Sequence, residues 1–207
     1  LNTLNGYFPF EVPASPEAWQ ASAEKLRRQL LVSQGLWPMP ERTPPRAVIH
    51  GLVDRDEYTV EKVYFESYPG FYVTGNLYRP KDNVEKHPAV LCPHGHWQEG
   101  RKHDHGLKKV KEEIVNGAER FLDGGRHPIQ SRCVQLARMG CVVFNYDMVG
   151  YADSVQLPHG AGVRADMNDP QNWGFFSPQA ESRLQTIMGL QTYDSIRALD
   201  WLSELPD

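Results

Sequence analysis

Ala89-Val90-Leu91-Cys92-Pro93-His94-Gly95-His96-Trp97 passes from a short apolar run straight into a polar, glycine-containing loop. The run has no alternation, and Pro88 and Pro93 bound it. That pattern suits a strand buried on both faces of a parallel sheet. Cys141-Val142-Val143-Phe144 repeats it, and between the two, Gln130 to Met139 carries Val134, Leu136 and Ala137 at helical spacing with Gly140 as its stop. Strand, helix, strand in that order predicts a βαβ crossover. In open α/β sheets, ligands bind beyond the carboxyl ends of the strands, so His94-Gly95-His96 falls where a site is expected.

Upstream, Tyr58 to Tyr68 is rich in β-branched and aromatic residues and Pro69-Gly70 marks a turn. In Phe71 to Tyr78, Phe71, Val73 and Leu77 alternate with Tyr72, Thr74 and Asn76, which predicts an antiparallel hairpin. Residues 1–50 read as an arm, one helix and a linker, and residues 51–207 as an α/β body. Ser15 is a good N-cap and Pro16 a good first helical residue; Trp19, Ala23, Leu26 and Leu30 then form a stripe, and Gly35 ends it. Pro38, Pro40, Pro44 and Pro45 make Trp37 to Arg46 an extended linker. A last helical region is expected from Ser177 to Leu205, with Gly189 as a weak point.

The composition excludes several classes. The 207 residues are 40% hydrophobic and 23% charged, with 17 glycines and 16 prolines, which is globular and turn-rich. Lys plus Arg number 22 against 26 for Asp plus Glu, and a net charge of -4 lacks the basic footprint of a general nucleic-acid binder. The apolar runs are far too short to span a bilayer. Cys92, Cys133 and Cys141 each sit in apolar surroundings, as small buried hydrophobes do. No charged-then-apolar leader is visible within residues 1–207.

Taken together, the His94-Gly95-His96 loop, the turn Asn145-Tyr146-Asp147-Met148-Val149-Gly150-Tyr151-Ala152-Asp153-Ser154 and the segment Gln191 to Pro206 are ordered as in a known family. The loop resembles the oxyanion-loop region of α/β-hydrolase serine esterases. The turn resembles the Asp-x-x-Gly-x-x-x-Ser turn of acetyl-xylan-esterase-like and dienelactone-hydrolase-like members, and the third segment resembles the helix before their nucleophile strand. The resemblance covers roughly Tyr58 to Asp207, and the preceding arm and helix resemble extensions of bacterial polysaccharide esterases.

It implies the N-terminal part of an α/β-hydrolase sheet, a hairpin followed by parallel strands and crossover helices, in an enzyme that deacylates a carbohydrate such as acetylated xylan without a cofactor. The compartment stays open, with a bacterial periplasmic or secreted location favoured over a cytoplasmic one. His96 would supply a backbone N–H to the oxyanion hole, and Trp97 would line the acyl pocket. Asp147 and Gly150 map onto a structural turn. No Gly-x-Ser-x-Gly elbow occurs in residues 1–207, so neither Ser154, Asp147 nor His127 takes a triad role. The family's sheet order puts the Ala89 to Cys92 strand between the Cys141 to Phe144 strand and the nucleophile strand. The expected partner is therefore the C-terminal half of the hydrolase domain, or another chain completing the sheet, beside which these residues become ordered.

Two other classes fit part of the pattern. His94, His96, His103, Asp104 and His105 offer imidazole and carboxylate ligands for a zinc hydrolase, although Arg101 and Lys102 oppose a cation. A carbohydrate-binding module would need no nucleophile. Gly124-Gly125-Arg126-His127 and Asn172-Trp173-Gly174-Phe175-Phe176 read as turn-rich, aromatic loop pieces suited to sugar contact or to packing, and Lys108 to Glu113 as a solvated helix face.

Overall fold

The computed structural model describes residues 5–7, 9–97, 99–156 and 178–206. Five strands, β1 (Val48–Asp54), β2 (Tyr58–Tyr68), β3 (Phe71–Pro80), β4 (Ala89–Leu91) and β5 (Val142–Tyr146), form one sheet in the order β1-β2-β3-β5-β4. The helices are α1 (Pro16–Ser33), α2 (Gly106–Val115), α3 (Leu122–Arg126), α4 (Pro128–Arg138), α5 (Pro178–Glu181) and α6 (Ile187–Ser203). Strands β1, β2, β3 and β5 pair antiparallel in turn, whereas β4 and β5 pair parallel. The mixed sheet with flanking helices is the α/β class expected, and the β2–β3 hairpin and the β4–α4–β5 crossover fall where the patterns put them.

Alternation along the strands divides the core between two helices. Val63, Phe65, Val73, Leu77, Val142, Phe144 and Tyr146 face α6, where Ala198, Trp201 and Leu202 meet them. The Trp201 ring stacks on Phe65 at 5.5 Å and meets Phe144 edge-on at 4.9 Å. On the opposite face, Tyr78, Cys92 and Val143 pack with Cys133 and Ala137 of α4. All five residues of β5 are buried because both layers cover it.

Strand β4 corrects one expectation. Ala89 is exposed and Val90 and Leu91 are half-buried. Val90 packs toward α4 and Leu91 toward α6, so both faces are covered. The exposure arises at the edge, since among the described residues β4 pairs with β5 alone.

Other departures have local causes. Strand β1, which carries no apolar alternation and is exposed throughout, was not expected; it adds to β2 through backbone hydrogen bonds. Gly124 and Gly125 lie inside α3 rather than in a turn. Lys108 to Glu113 lies in α2, which is mostly solvated but buries Val110 completely.

The final helical region is two helices, because Thr186 caps α6, its hydroxyl accepting from Gly189 N–H at 2.9 Å. Gly189 marks close packing instead of a weak point: a Cβ there would lie 1.9 Å from the Gln34 carbonyl oxygen. Helix α1 starts on the Ser15 cap as expected, yet buries no residue; Trp19, Leu26 and Leu30 are exposed. The linker after it lies along α6. Tyr193 Oη donates to the Glu41 carbonyl at 3.1 Å, and Arg197 donates to that of Thr43.

Candidate active site

The carboxyl end of β4 delivers Cys92 and Pro93, and the chain then turns into His94, Gly95 and His96. The carboxyl end of β5 delivers Asp147 and the turn that follows. These neighbouring parallel strands place both segments at one mouth of the sheet.

His94 is buried between them. Met148 N–H donates to its Nε2 at 3.1 Å, and its Nδ1 lies 2.7 Å from the Gly95 carbonyl oxygen. A backbone N–H can only donate, so Nε2 is the acceptor and the proton sits on Nδ1. The imidazole is therefore neutral. Burial also holds its pKa below 6.5.

This contact orients the next peptide. The Gly95 carbonyl turns toward the His94 ring, and a trans peptide puts the His96 N–H on the opposite side. Gly100 completes the fit at a φ of 53°, where a Cβ would come within 2.8 Å of His94 Nε2.

The segment after this loop is fastened by a buried ion pair. Arg101, in a 3-10 turn over Gly100–Lys102, bonds Asp147 and Asp153 through its guanidinium, and Lys102 also pairs with Asp153. Asp147 Oδ2 accepts in addition from the Thr74 hydroxyl at 2.7 Å and from Asp153 N–H at 3.2 Å. Arg101 and Asp147 are 2% and 1% exposed, so this pair is screened from solvent. The turn itself closes on backbone contacts, with Ser154 N–H donating to Tyr151 and the Ser154 carbonyl accepting from Gly150.

Aromatic rings line the opening. Tyr151 meets His94 and His96 edge-on at 5.5 and 6.1 Å, and its hydroxyl lies 3.3 Å from His96 Nδ1. Trp97 stacks on His103 at 5.0 Å, and His103 meets His105 at 4.8 Å. His96, Trp97 and His103 thus share one rim with His94 beneath.

The proposed zinc set is not assembled. His94 is committed to Met148 and Gly95. Asp104 instead receives both Arg126 Nε contacts, at 2.8 and 3.0 Å, which hold its carboxyl down at about 2. Among the described residues, no three His, Cys, Asp or Glu side chains are grouped to hold a metal ion. His127 sits between α3 and α4, its carbonyl accepting from Ser131 N–H. The Asn172 to Phe176 aromatic piece and Ser177 lie outside the described residues.

Arg101 and Tyr151 were missed as site residues. Arg101 had a signal: a carboxylate expected after a buried strand needs a cation, and Arg101 stands in the neighbouring loop.

No protein-family model and no curated protein sequence matches the chain. Among solved structures, it is similar to a methylesterase at 24% identity and a TM-score of 0.55, over 93% of this chain and 34% of that one. It is also similar to a Bacteroides fragilis protein assigned as an acetyl xylan esterase, at 16% identity and a TM-score of 0.63, over 95% of this chain and 46% of that one. The sheet and its flanking helices therefore define an α/β protein with an esterase-type fold. In particular, the fold is similar to part of these methylesterase and acetyl-xylan-esterase structures. The chain spans between a third and a half of the length of these two structures. No helix among the described residues is long and apolar enough to cross a membrane.

Proposed function

We propose that these residues form the front part of a serine carboxylic-ester hydrolase that deacylates carbohydrate. The supporting observation is the Gly95–His96 peptide, held in one orientation by His94 at the carboxyl end of β4. In this reading the His96 N–H is an oxyanion donor, aligned before substrate arrives. Trp97, backed by His103, offers an aromatic wall to the acyl group or a sugar ring. The nucleophile, its acid and its base come from a further segment that pairs with the open edge of β4, either a continuation of the chain or a second polypeptide. That strand would bring its serine beside His96, and acyl transfer would proceed through an acyl-enzyme. A polysaccharide substrate favours a periplasmic or secreted location.

The test uses the complete enzyme on acetylated xylan and on a short acyl ester. His96→Ala retains most activity, because the donor is backbone. His96→Pro removes the N–H and lowers kcat by about 10²–10³, with circular dichroism confirming the fold. Equal, large losses in both variants would overturn the backbone role. Absence of burst kinetics with the unaltered enzyme would overturn the serine mechanism.

A further inference from the structure

Cys92 closes β4, its N–H donating to the Phe144 carbonyl at 2.9 Å. Its side chain turns to the α4 side of the sheet, among Tyr78, Val143, Ala137 and Cys133. Cys133 is fully buried and lies in the same buried cluster as Cys92. Arg132 precedes Cys133 and reaches over the same spot, Nη2 donating to the Pro93 carbonyl at 3.3 Å. A thiol, a second thiol and a guanidinium thus converge immediately before His94.

We propose that Cys92 and Cys133 form a hydroperoxide-oxidised thiol pair, nucleophile and resolver, at the root of the His94–His96 loop. The two sulfurs are unequal. The neighbouring Cys133, followed by the Arg132 charge, lowers the Cys92 thiol, while that same neighbour and burial push Cys133 up. Cys92, beside the Arg132 guanidinium, is therefore the more acidic thiol and the nucleophile, and Cys133 the resolver.

The Cys92 thiolate attacks one peroxide oxygen. The S–O bond forms, the O–O bond breaks, and the departing oxygen leaves as hydroxide and is protonated to water. Cys133 sulfur then attacks the sulfenic sulfur. The S–S bond forms, the S–O bond breaks, and hydroxide leaves with the thiol proton as a second water. Two electrons pass from the sulfurs to the peroxide, so the balance closes on one disulfide and two waters. The product ties the end of β4 to α4. This chemistry is independent of the esterase reading.

Cys141 provides the internal comparison. It is only partly buried, whereas Cys92 and Cys133 are buried. Accessibility alone would oxidise Cys141 first; the proposed pair puts Cys92 first.

The test treats the folded protein with hydrogen peroxide, blocks remaining thiols under denaturing conditions and maps the peptides by mass spectrometry. The expected product is a Cys92–Cys133 crosslink, reversed by dithiothreitol, with Cys141 recovered as a blocked thiol. In Cys133→Ser, dimedone traps a sulfenic acid on Cys92. Recovery of Cys92 and Cys133 as blocked thiols while Cys141 is oxidised would overturn the proposal, as would oxidation of Cys92 without the crosslink. If Cys133→Ser does not fold, the peptide map of the unaltered protein decides alone.

Discussion

Arg101 and Asp147 form an ion pair inside the protein, joining the loop after β4 to the turn after β5. Both ions have left water, and the guanidinium offsets that loss only while its partner is present. The pair therefore acts less as glue than as a constraint on how two loops sit beside one another.

Removing one member exposes this dependence. Arg101→Met leaves the Asp147 carboxylate buried and should lower unfolding stability by about 3–5 kcal/mol. The double variant Arg101→Met/Asp147→Leu should recover a large part of it. Urea midpoints of the single and double variants check this; equal losses in both would contradict it.

His94 separates into two hydrogen bonds that can be removed one at a time. Asparagine places an N–H near the Nδ1 position, and glutamine an oxygen near Nε2. In the complete enzyme, His94→Asn should keep the Gly95 carbonyl oriented and retain more kcat than His94→Gln. With the carbonyl released, His94→Gln should lose about tenfold or more in kcat, approaching the effect of a lost oxyanion donor, with little change in KM. Steady-state kinetics of the two variants decide the matter, and indistinguishable kcat values would refute the orienting role.

His94 also leaves a mark on acid stability. Its folded pKa lies below 6.5 because of burial, so the unfolded chain takes up a proton that the native state refuses. Stability contributed here is present above pH 6.5 and is lost as pH falls below it. The acid-side fall in thermal midpoint should be shallower in His94→Gln than in the parent protein.

Asp194 has the opposite sign. Burial pushes its carboxyl from 3.8 up to about 7, so the native state keeps a proton that the unfolded chain has released. Stability therefore falls as pH rises between those two values and levels off above, by roughly 4 kcal/mol at most. Asp194→Asn removes the titration. Measured by denaturant unfolding, it should match the parent near pH 4 and exceed it at about pH 8; a difference between them that does not grow with pH would refute the assignment.

Close packing at α6 gives a steric prediction. In Gly189→Ala the added methyl meets the Gln34 carbonyl, and one helix has to shift from the other. A loss of about 1–3 kcal/mol is expected, while Gly117→Ala, whose Cβ site is open but whose φ is 74°, reports backbone strain alone. Comparing the two variants by thermal melting separates collision from strain.

What could be read in the sequence was what leaves a periodic trace. The β2–β3 hairpin alternates because one face meets α6, and Val142 to Phe144 is continuously apolar because two helical layers cover it. Strand β1 lay beyond that reach, since an exposed edge strand joins through its backbone and asks nothing of its side chains. The stripe of α1 was legible as a helix but said nothing of a partner, and its apolar residues lie in solvent.

At the site, His94, His96 and Trp97 stood out because they follow a strand directly. Arg101 was read only as a charge opposing a cation, because the carboxylate that pairs with it lies 46 residues further along. The Gly189 contact was hidden for the same reason: the backbone oxygen it accommodates belongs to Gln34.

The bond between Arg197 and the Thr43 carbonyl spans 154 residues, and that separation orders events during synthesis. Strands β2 and β3 are adjacent in the chain and can pair soon after they leave the ribosome. The stretch before them cannot reach its seat until α6 has been made. At roughly 5–20 residues per second, it waits on the order of ten to thirty seconds. Throughout that interval Pro40 to Thr43 is an unprotected extended segment, open to a protease or a chaperone. Nascent-chain proteolysis should cut there first, and protection should arrive only with the last helix.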